Sequence, residues 1–395
     1  MSMRAQIPDS ERPAIAGGAP LFPEGLPVAR PSVPDPEVVA EDVKKILTSR
    51  MLTNGAYVRE LEARAAEYLG VRACVAVSSC TSGLMLVLRA SDISGDVVTP
   101  SFTFAATAHA IAWNGLRPVF AEVDEDTLTL SPDAAAHAVG VRTSAILATH
   151  TYGTPCAVEE LTEHAHRHGI KLFFDAAHGF GSLYKDAHVG GFGDAEVFSL
   201  SPTKLLVASE GGIIATNDEL LAERCRIGRD YGNPGDYDCL FVGLNARMSE
   251  IHAAVALASF DDLEDRVARR NAVARLYTWE LKDVDGIRIP GPRLGDRSTY
   301  KDFTILVDEP SFGMDADALA LALKAEGIDT RRYFSPPVHE MVAYRSLRGA
   351  NGHMPATEAI SAAVLTLPMW DGISDEQVAG VAAAIRRISS YRRAS

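Results

Sequence analysis

Cysteine is scarce in this chain. The five present, Cys74, Cys80, Cys156, Cys225 and Cys239, form no CxxC pair and show no metal-ligand spacing. An odd, unpatterned set excludes a disulfide framework and a zinc module, and it fits a reducing cytoplasm. Positive charge is outnumbered: 38 Lys and Arg stand against 52 Asp and Glu, for a formal net charge of -14. With no long basic run, that balance argues against a nucleic-acid surface. Long apolar runs are missing as well. Stretches such as Leu84 to Leu88 are far too short to span a bilayer. The first residues lack a basic segment followed by an apolar core, so no signal peptide is read. No Gly-x-Gly-x-x-Gly follows a strand, which removes the doubly wound dehydrogenase reading.

What remains is a chain of 395 residues, 47% hydrophobic and 23% charged, long enough for two domains of a globular enzyme. Residues 1–35, rich in Pro, Gly and Ala, read as an arm on the surface or on a partner subunit. A large domain is expected over 36–260 and a smaller one over 261–395. Helical spacing begins at Pro36, breaks at the Asn54-Gly55 turn signal, and resumes with Val58, Leu61, Ala65 and Tyr68 on one face. Apolar strands then alternate with helices, from Ala73–Val77 through Asp96–Thr99, Pro118–Val123, Ala145–Thr149, Lys171–Phe174 and Glu196–Ser199 to Gly212–Ala215. Nearly unbroken apolar strands between helices indicate an α/β fold, a mostly parallel sheet sandwiched by helices. Met248 to about Lys282 reads as one long or kinked helix. Beyond it, a strand at Phe303–Val307, a helix at Ala316–Lys324, a Pro-containing loop at Arg331–His339 and helices near Glu358–Leu365 and Asp375–Ser389 suggest a smaller C-terminal α+β domain.

In such sheets ligands sit beyond the carboxyl ends of strands, so the residues just after each strand matter most. Ser78 to Gly83 follows a strand and opens a helix. Its small hydroxyl residues suit either a phosphate cradle or an ordinary capping turn. Phe102 and Phe104 follow the next strand, as an aromatic wall for a flat ring or as core residues. Asp175 ends the run Lys171-Leu172-Phe173-Phe174, and His178 lies three residues on. Lys204 sits five residues past Ser199 across a tight loop, with Glu210-Gly211-Gly212 beyond it. Taken alone, each of these is a solvated charge, a cap or a core side chain. Taken together, an amine and a carboxylate brought to one rim are what pyridoxal phosphate requires: the amine for its aldehyde, the carboxylate for its pyridine nitrogen.

The order and spacing of these pieces resemble the DegT/DnrJ/EryC1/StrS group of sugar aminotransferases, which belong to the fold type I pyridoxal phosphate enzymes. The resemblance runs from about Gly17 to Leu367. It rests on Gly17-Gly18-Ala19-Pro20, Leu52-Thr53-Asn54-Gly55, Thr99 to Ala106, Asp175-Ala176-Ala177-His178, Phe198 to Lys204, Glu210-Gly211-Gly212 and Gly243 to Met248. It implies that Lys204 joins the cofactor and moves the proton, and that Asp175 partners the pyridine nitrogen. It also implies that His178 meets the phenolic oxygen and that Phe104 stacks on the ring. Cys80, Thr81 and Ser199 fall at phosphate positions, Cys80 where Ala or Gly is common. Asn245 resembles an asparagine that reaches the phosphate of the neighbouring subunit, which implies a homodimer with shared sites. A subgroup that replaces the lysine with histidine and dehydrates the sugar is disfavoured by Lys204.

The stretch Asp329 to His339 resembles the loop of members acting at C4 of a nucleotide-linked 4-keto-6-deoxyhexose in antibiotic deoxysugar pathways. On that likeness L-glutamate is the expected amino donor. Arg331 or Arg332 can fork onto a diphosphate, or can equally make surface ion pairs. Tyr333 and His339 are candidates for the sugar or the donor carboxylate. Amination at C3, or of a ketocyclitol, is the rival within the family. A non-catalytic cofactor-binding regulator is the rival outside it, and it would usually carry a DNA-binding segment that this chain does not show.

Overall fold

The structure is a computed structural model and describes residues 12–347 and 353–394. Residues 12–35 run along their own chain. Buried Glu326 accepts the N–H groups of Ala14 (2.9 Å) and Leu21 (3.1 Å), and Leu26 bridges to Ile328. Helix α1 (Pro36–Ser49) starts with Asp35 capping the Glu37 N–H and with proline at its first position. Helix α2 (Ala56–Leu69) follows Gly55, which has no capping side chain. A distant carboxylate replaces the cap: Glu250 accepts from the N–H groups of Gly55, Tyr57 and Val58 at 2.8, 3.0 and 3.0 Å.

The central sheet holds β1 (Ala73–Val77), β2 (Asp96–Pro100), β3 (Arg117–Ala121), β4 (Thr143–Thr149), β5 (Lys171–Asp175), β8 (Ala195–Ser199) and β9 (Gly212–Thr216). A hairpin of β6 (Leu183–Tyr184) and β7 (Ala187–His188) intervenes. The order across the sheet is β1-β9-β8-β5-β4-β2-β3, and β9 alone runs antiparallel to its neighbours. The expected α/β fold with a largely parallel sheet is what forms. Register then fixes one rim: Thr149 pairs with Asp175, and Ser199 and Val77 both pair with Gly212. Strand ends far apart in sequence therefore share that rim, and the helices that follow start there. These include α3 (Cys80–Ala90) and α4 (Ala105–Trp113), with α5 (Pro132–Ala138), α6 (Val158–His168) and α7 (Glu219–Gly228) covering the faces.

Two expectations change in the second half. The long helix is two, α8 (Glu250–Phe260) and α9 (Leu263–Leu281), divided at the exposed pair Asp261-Asp262. The Asp262 carbonyl and carboxylate take the Arg266 N–H and guanidinium, so the acidic pair opens a new helix. Near the C-terminus, α12 (Pro355–Ala363) stops early, and Val364–Leu367 becomes β12, not its last turn. Tertiary pairing overrides the helical pattern: β12 runs antiparallel to β11 (Phe303–Val307), with Phe303 opposite Leu367. With β10 (Ile287–Arg288) these strands make a second, three-stranded sheet. Short α10 (Glu309–Phe312), α11 (Ala316–Ala325) and α13 (Asp375–Ala394) complete this lobe, whose core holds Leu26, Tyr277, Ile305, Leu319, Leu365 and Ile385. No helix among the described residues is long and apolar enough to cross a membrane.

Candidate active site

Strand β5 ends by burying a charge. Asp175 is only 4% exposed, and its carboxylate accepts the Thr107 hydroxyl at 2.7 Å and the Ala177 N–H at 3.1 Å. Burial pushes its pKa up. Those two hydrogen bonds, with the charge of Lys204, oppose the rise. One strand along, β8 ends at Ser199 and the chain turns tightly into Lys204, held by bonds from Lys204 N–H to the Ser201 carbonyl (3.0 Å) and from Ala208 N–H to the Leu200 carbonyl (2.8 Å). Burial first, and then the positive charge of Lys301, lower the Lys204 pKa to about 8. Among the described residues its amine has no hydrogen-bond or ion-pair partner.

The start of α3 supplies free donors. The Ser79 side chain caps the Ser82 N–H at 3.1 Å, and Ser82 returns the bond to the Ser79 N–H. The N–H groups of Cys80 and Thr81 have no acceptor among the described residues. Gly212 lies against this turn, where an added Cβ would stand 2.6 Å from the Cys80 nitrogen, so only glycine lets β9 approach. The Cys80 sulfur is 3.9 Å from Asp175 Oδ1 and 3.5 Å from the Val197 carbonyl, and burial drives its thiol pKa well up. It is a neutral wall of the site.

His178 accepts the Tyr152 N–H on Nδ1 at 3.2 Å, which leaves the ring proton on Nε2. Burial, reinforced by the charges of Lys204 and Lys301, pushes its pKa well down, so this ring is a neutral donor. Below Asp175, His150 lies against Phe174 and meets Glu196 at 3.0 Å through Nε2, while its Nδ1 accepts the Cys156 N–H at 2.9 Å. Burial opposes its protonation. The neighbouring Cys156 and Glu196 favour it. Because Nδ1 accepts the Cys156 N–H, the ring proton sits on Nε2 and is donated to Glu196.

These groups face one cavity of about 320 Å³, the size of a small-ligand site. Cys80, Thr81, Phe104, Asp175, His178, Ser199, Lys204 and Tyr333, all singled out from the sequence, line it. Phe104 is 64% exposed in the single chain. Other candidates lie elsewhere. The Arg332 guanidinium is taken by Asp317 and by the carbonyls of Ser361 (3.2 Å) and Ala362 (2.7 Å), in a groove beside α11 and α12. Exposed Arg331 bonds the Thr330 carbonyl, and its backbone pairs with Thr366. His339 is buried between Ser101 (2.6 Å) and Glu358 (3.2 Å), a strut between the β2–α4 loop and α12. Asn245 is exposed, on a stretch bridged to Asp230 outside the cavity.

Sequence reading missed Thr107, Tyr152, Lys301 and Asp302. The last two line the cavity as a buried ion pair, Nζ to Oδ1 2.9 Å. Adjacent opposite charges just before an apolar strand were the available signal. As a donor set the cavity fits an aromatic aldehyde phosphate. Two orphan amides and the Ser199 hydroxyl can take the phosphate, an unpartnered amine the aldehyde and a buried carboxylate the ring nitrogen.

Comparison with known proteins agrees. The DegT/DnrJ/EryC1/StrS aminotransferase family matches residues 35–386. A protein of Escherichia coli named dTDP-4-amino-4,6-dideoxy-D-glucose transaminase is 34% identical over 356 residues, 89% of this chain and 96% of that protein. The crystal structure of DesI in the presence of its TDP-sugar product is similar at TM-score 0.91 and 38% identity, covering 97% of this chain and 98% of that one. That of S. venezuelae DesV is similar at TM-score 0.85 and 31% identity, covering 91% and 99%.

Proposed function

We propose, from the premise that this chain belongs to the DegT/DnrJ/EryC1/StrS aminotransferase family, that it uses pyridoxal 5'-phosphate to move an amino group from L-glutamate to C4 of a nucleotide-linked 4-keto-6-deoxyhexose. The substrate we assign is dTDP-4-dehydro-6-deoxy-D-glucose, and the product a 4-amino-4,6-dideoxy sugar. The observation that carries this reading is the meeting of Lys204 and Asp175, one amine and one acid, in a single cavity beside the free amides of Cys80 and Thr81. The dTDP-4-amino sugar in the name of the Escherichia coli relative and the TDP-sugar product of DesI support the substrate class and C4.

When bound, pyridoxal phosphate supplies an aldehyde that carries the amino group and a ring that takes up the electron pair left by deprotonation. The chain's own residues do the rest. Cys80 and Thr81 amides and the Ser199 hydroxyl hold the phosphate. Asp175, kept in place by Thr107 and Ala177, offers a buried charge that only a cation opposite it makes comfortable, and a protonated ring nitrogen is that cation. His178 donates from Nε2 to the phenolic oxygen. Phe104 covers a ring face. Lys204, its amine biased toward the neutral form, would take the proton from the substrate carbon and return it to the carbon on the other side of the nitrogen.

We read the chain as an arm over 1–35, a large domain over 36–260 and a small domain over 261–395. The cavity takes Asp175 and Lys204 from one and Lys301 and Tyr333 from the other. The exposure of Phe104, Tyr231, Leu240 and Val242 supports a homodimer in which Asn245 completes the partner's phosphate site. Free thiols at all five cysteines suit a cytoplasmic enzyme. The test is a panel of 4-keto and 3-keto nucleotide sugars and ketocyclitols, with glutamate as donor and 2-oxoglutarate release as readout. The reading expects the C4 ketone to lead by about a hundredfold in kcat/KM. Preference for a C3 ketone or a cyclitol would overturn the regiochemistry, and glutamine as the better donor would overturn the donor.

A further inference from the structure

An aminotransferase must seat two unlike molecules in one cavity in turn. The donor places an α-carboxylate beside its reacting carbon, and the ketosugar places a neutral hydroxyl there. We propose that the buried Lys301–Asp302 pair makes this exchange possible. Lys301 receives the donor's α-carboxylate, and Asp302, through the oxygen that Lys301 leaves free, serves as acceptor for the sugar hydroxyl next to the ketone. The inference rests on the aminotransferase reading and names two recognition residues within it.

The first support is position. Lys301 and Asp302 immediately precede β11, line the same cavity as Lys204 and Asp175, and have side chains 8% and 7% exposed. The second is valence. Other buried cations add backbone carbonyls to their ion pairs: Arg229 takes that of Ala76 besides Glu62, Arg266 those of Leu205 and Ser259 besides Asp262, and Arg270 those of Tyr300 and Lys301 besides Asp371. The Lys301 ammonium makes one bond, to Asp302, among the described residues, with the Tyr333 ring 5.6 Å away. Two of its three donors stay free for a ligand. The second oxygen of Asp302 is likewise without a described partner.

The third support is elimination by charge. The described residues lining the cavity offer two cations, Lys204 and Lys301, and His178 is held neutral. Lys204 is committed to the amine chemistry. Arg332, which the sequence offered for anion recognition, is engaged outside. Within this chain the donor's carboxylate therefore has one counter-charge to meet. The pair is poorly explained as a stabilising strut, because desolvating both ions costs about as much as their attraction returns. A switchable pair is neutral when the cavity holds a sugar and exposes its cation when the cavity holds a carboxylate.

The two half-reactions separate the roles. With the cofactor-loaded enzyme, Lys301→Met is expected to raise KM for glutamate by roughly 30-fold and to leave KM for the ketosugar within about threefold. Asp302→Asn is expected to do the reverse. Lys301→Arg should recover part of the glutamate defect. Calorimetric titration with glutarate, which has the carboxylates but no amine to react, reads the same site without turnover: wild type binds and Lys301→Met loses binding by a similar factor. Unchanged glutarate binding in Lys301→Met would place the carboxylate on another group and overturn the proposal. So would an equal loss in both half-reactions together with a lowered Tm, since that marks a strut. If wild-type enzyme fails to transfer nitrogen from glutamate at all, the aminotransferase reading itself falls. If wild type turns over and the variants do not discriminate, only the Lys301–Asp302 assignment falls.

Discussion

The rim of the central sheet and the 331–339 loop were equally prominent in the sequence, and the structure treats them differently. Asp175, His178, Ser199, Lys204 and the Cys80-Thr81 turn all reach one cavity. From the loop, Tyr333 lines that cavity, Arg332 is tied to Asp317 and to α12 carbonyls, and His339 is locked between Ser101 and Glu358. The difference has a physical basis. A strand end is placed by register with its neighbours, so residues after consecutive parallel strands must converge. A loop places its side chains by local packing, and its arginines take whichever carbonyls and carboxylates lie nearest.

The largest effect is expected from Lys204→Ala. It removes the group proposed both to receive the cofactor and to move the proton, and turnover should fall by about a thousandfold or more, read as 2-oxoglutarate release. Asp175→Asn keeps the size of the side chain and removes the charge. A loss of roughly a hundredfold or more in kcat is expected, with the variant still folded by circular dichroism.

The pH dependence of cofactor loading comes next. The Lys204 pKa is lowered to about 8, so its reactive neutral form grows as pH rises toward 8 and saturates above it. The rate at which apo-protein takes up pyridoxal phosphate, followed by absorbance, should rise nearly tenfold per pH unit below 8 and then level off. Removing the Lys301 charge with Lys301→Met should move that midpoint upward, because that charge helps to depress the amine. A midpoint near the ordinary lysine value in wild type would show that Lys204 is solvated. The smallest effect belongs to the loop. Arg332→Ala should leave KM for both substrates within about twofold and cost about 1–3 kcal/mol of stability in denaturant unfolding, from its lost bonds to Ser361, Ala362 and Asp317.

Much of the large lobe was legible because its strands are short apolar runs with no competing helical period, and Val158–His168 was legible as a helix from its spacing. The break at Asp261-Asp262 and the switch to strand at Val364 were not. The first depends on how Asp262 meets Arg266, and the second on a partner strand some sixty residues earlier. Within the site, Asp175 and Lys204 were legible from what precedes them. Thr107, whose hydroxyl reaches Asp175 from the first turn of α4, was not, because the packing of that helix on the sheet decides it. Lys301 and Asp302 were hidden for a related reason. They come from the second lobe, about a hundred residues after Lys204, and only tertiary assembly brings them to the same cavity.

The central claim is that Lys204 and Asp175 face one another across a cofactor that shuttles nitrogen. The most direct measurement is the visible absorption of the purified, cofactor-loaded protein through one cycle. The account predicts a band from the covalently held cofactor that disappears when glutamate is added and returns when dTDP-4-dehydro-6-deoxy-D-glucose follows. A protein that shows no such band after incubation with pyridoxal phosphate, or whose band is indifferent to glutamate, would contradict it.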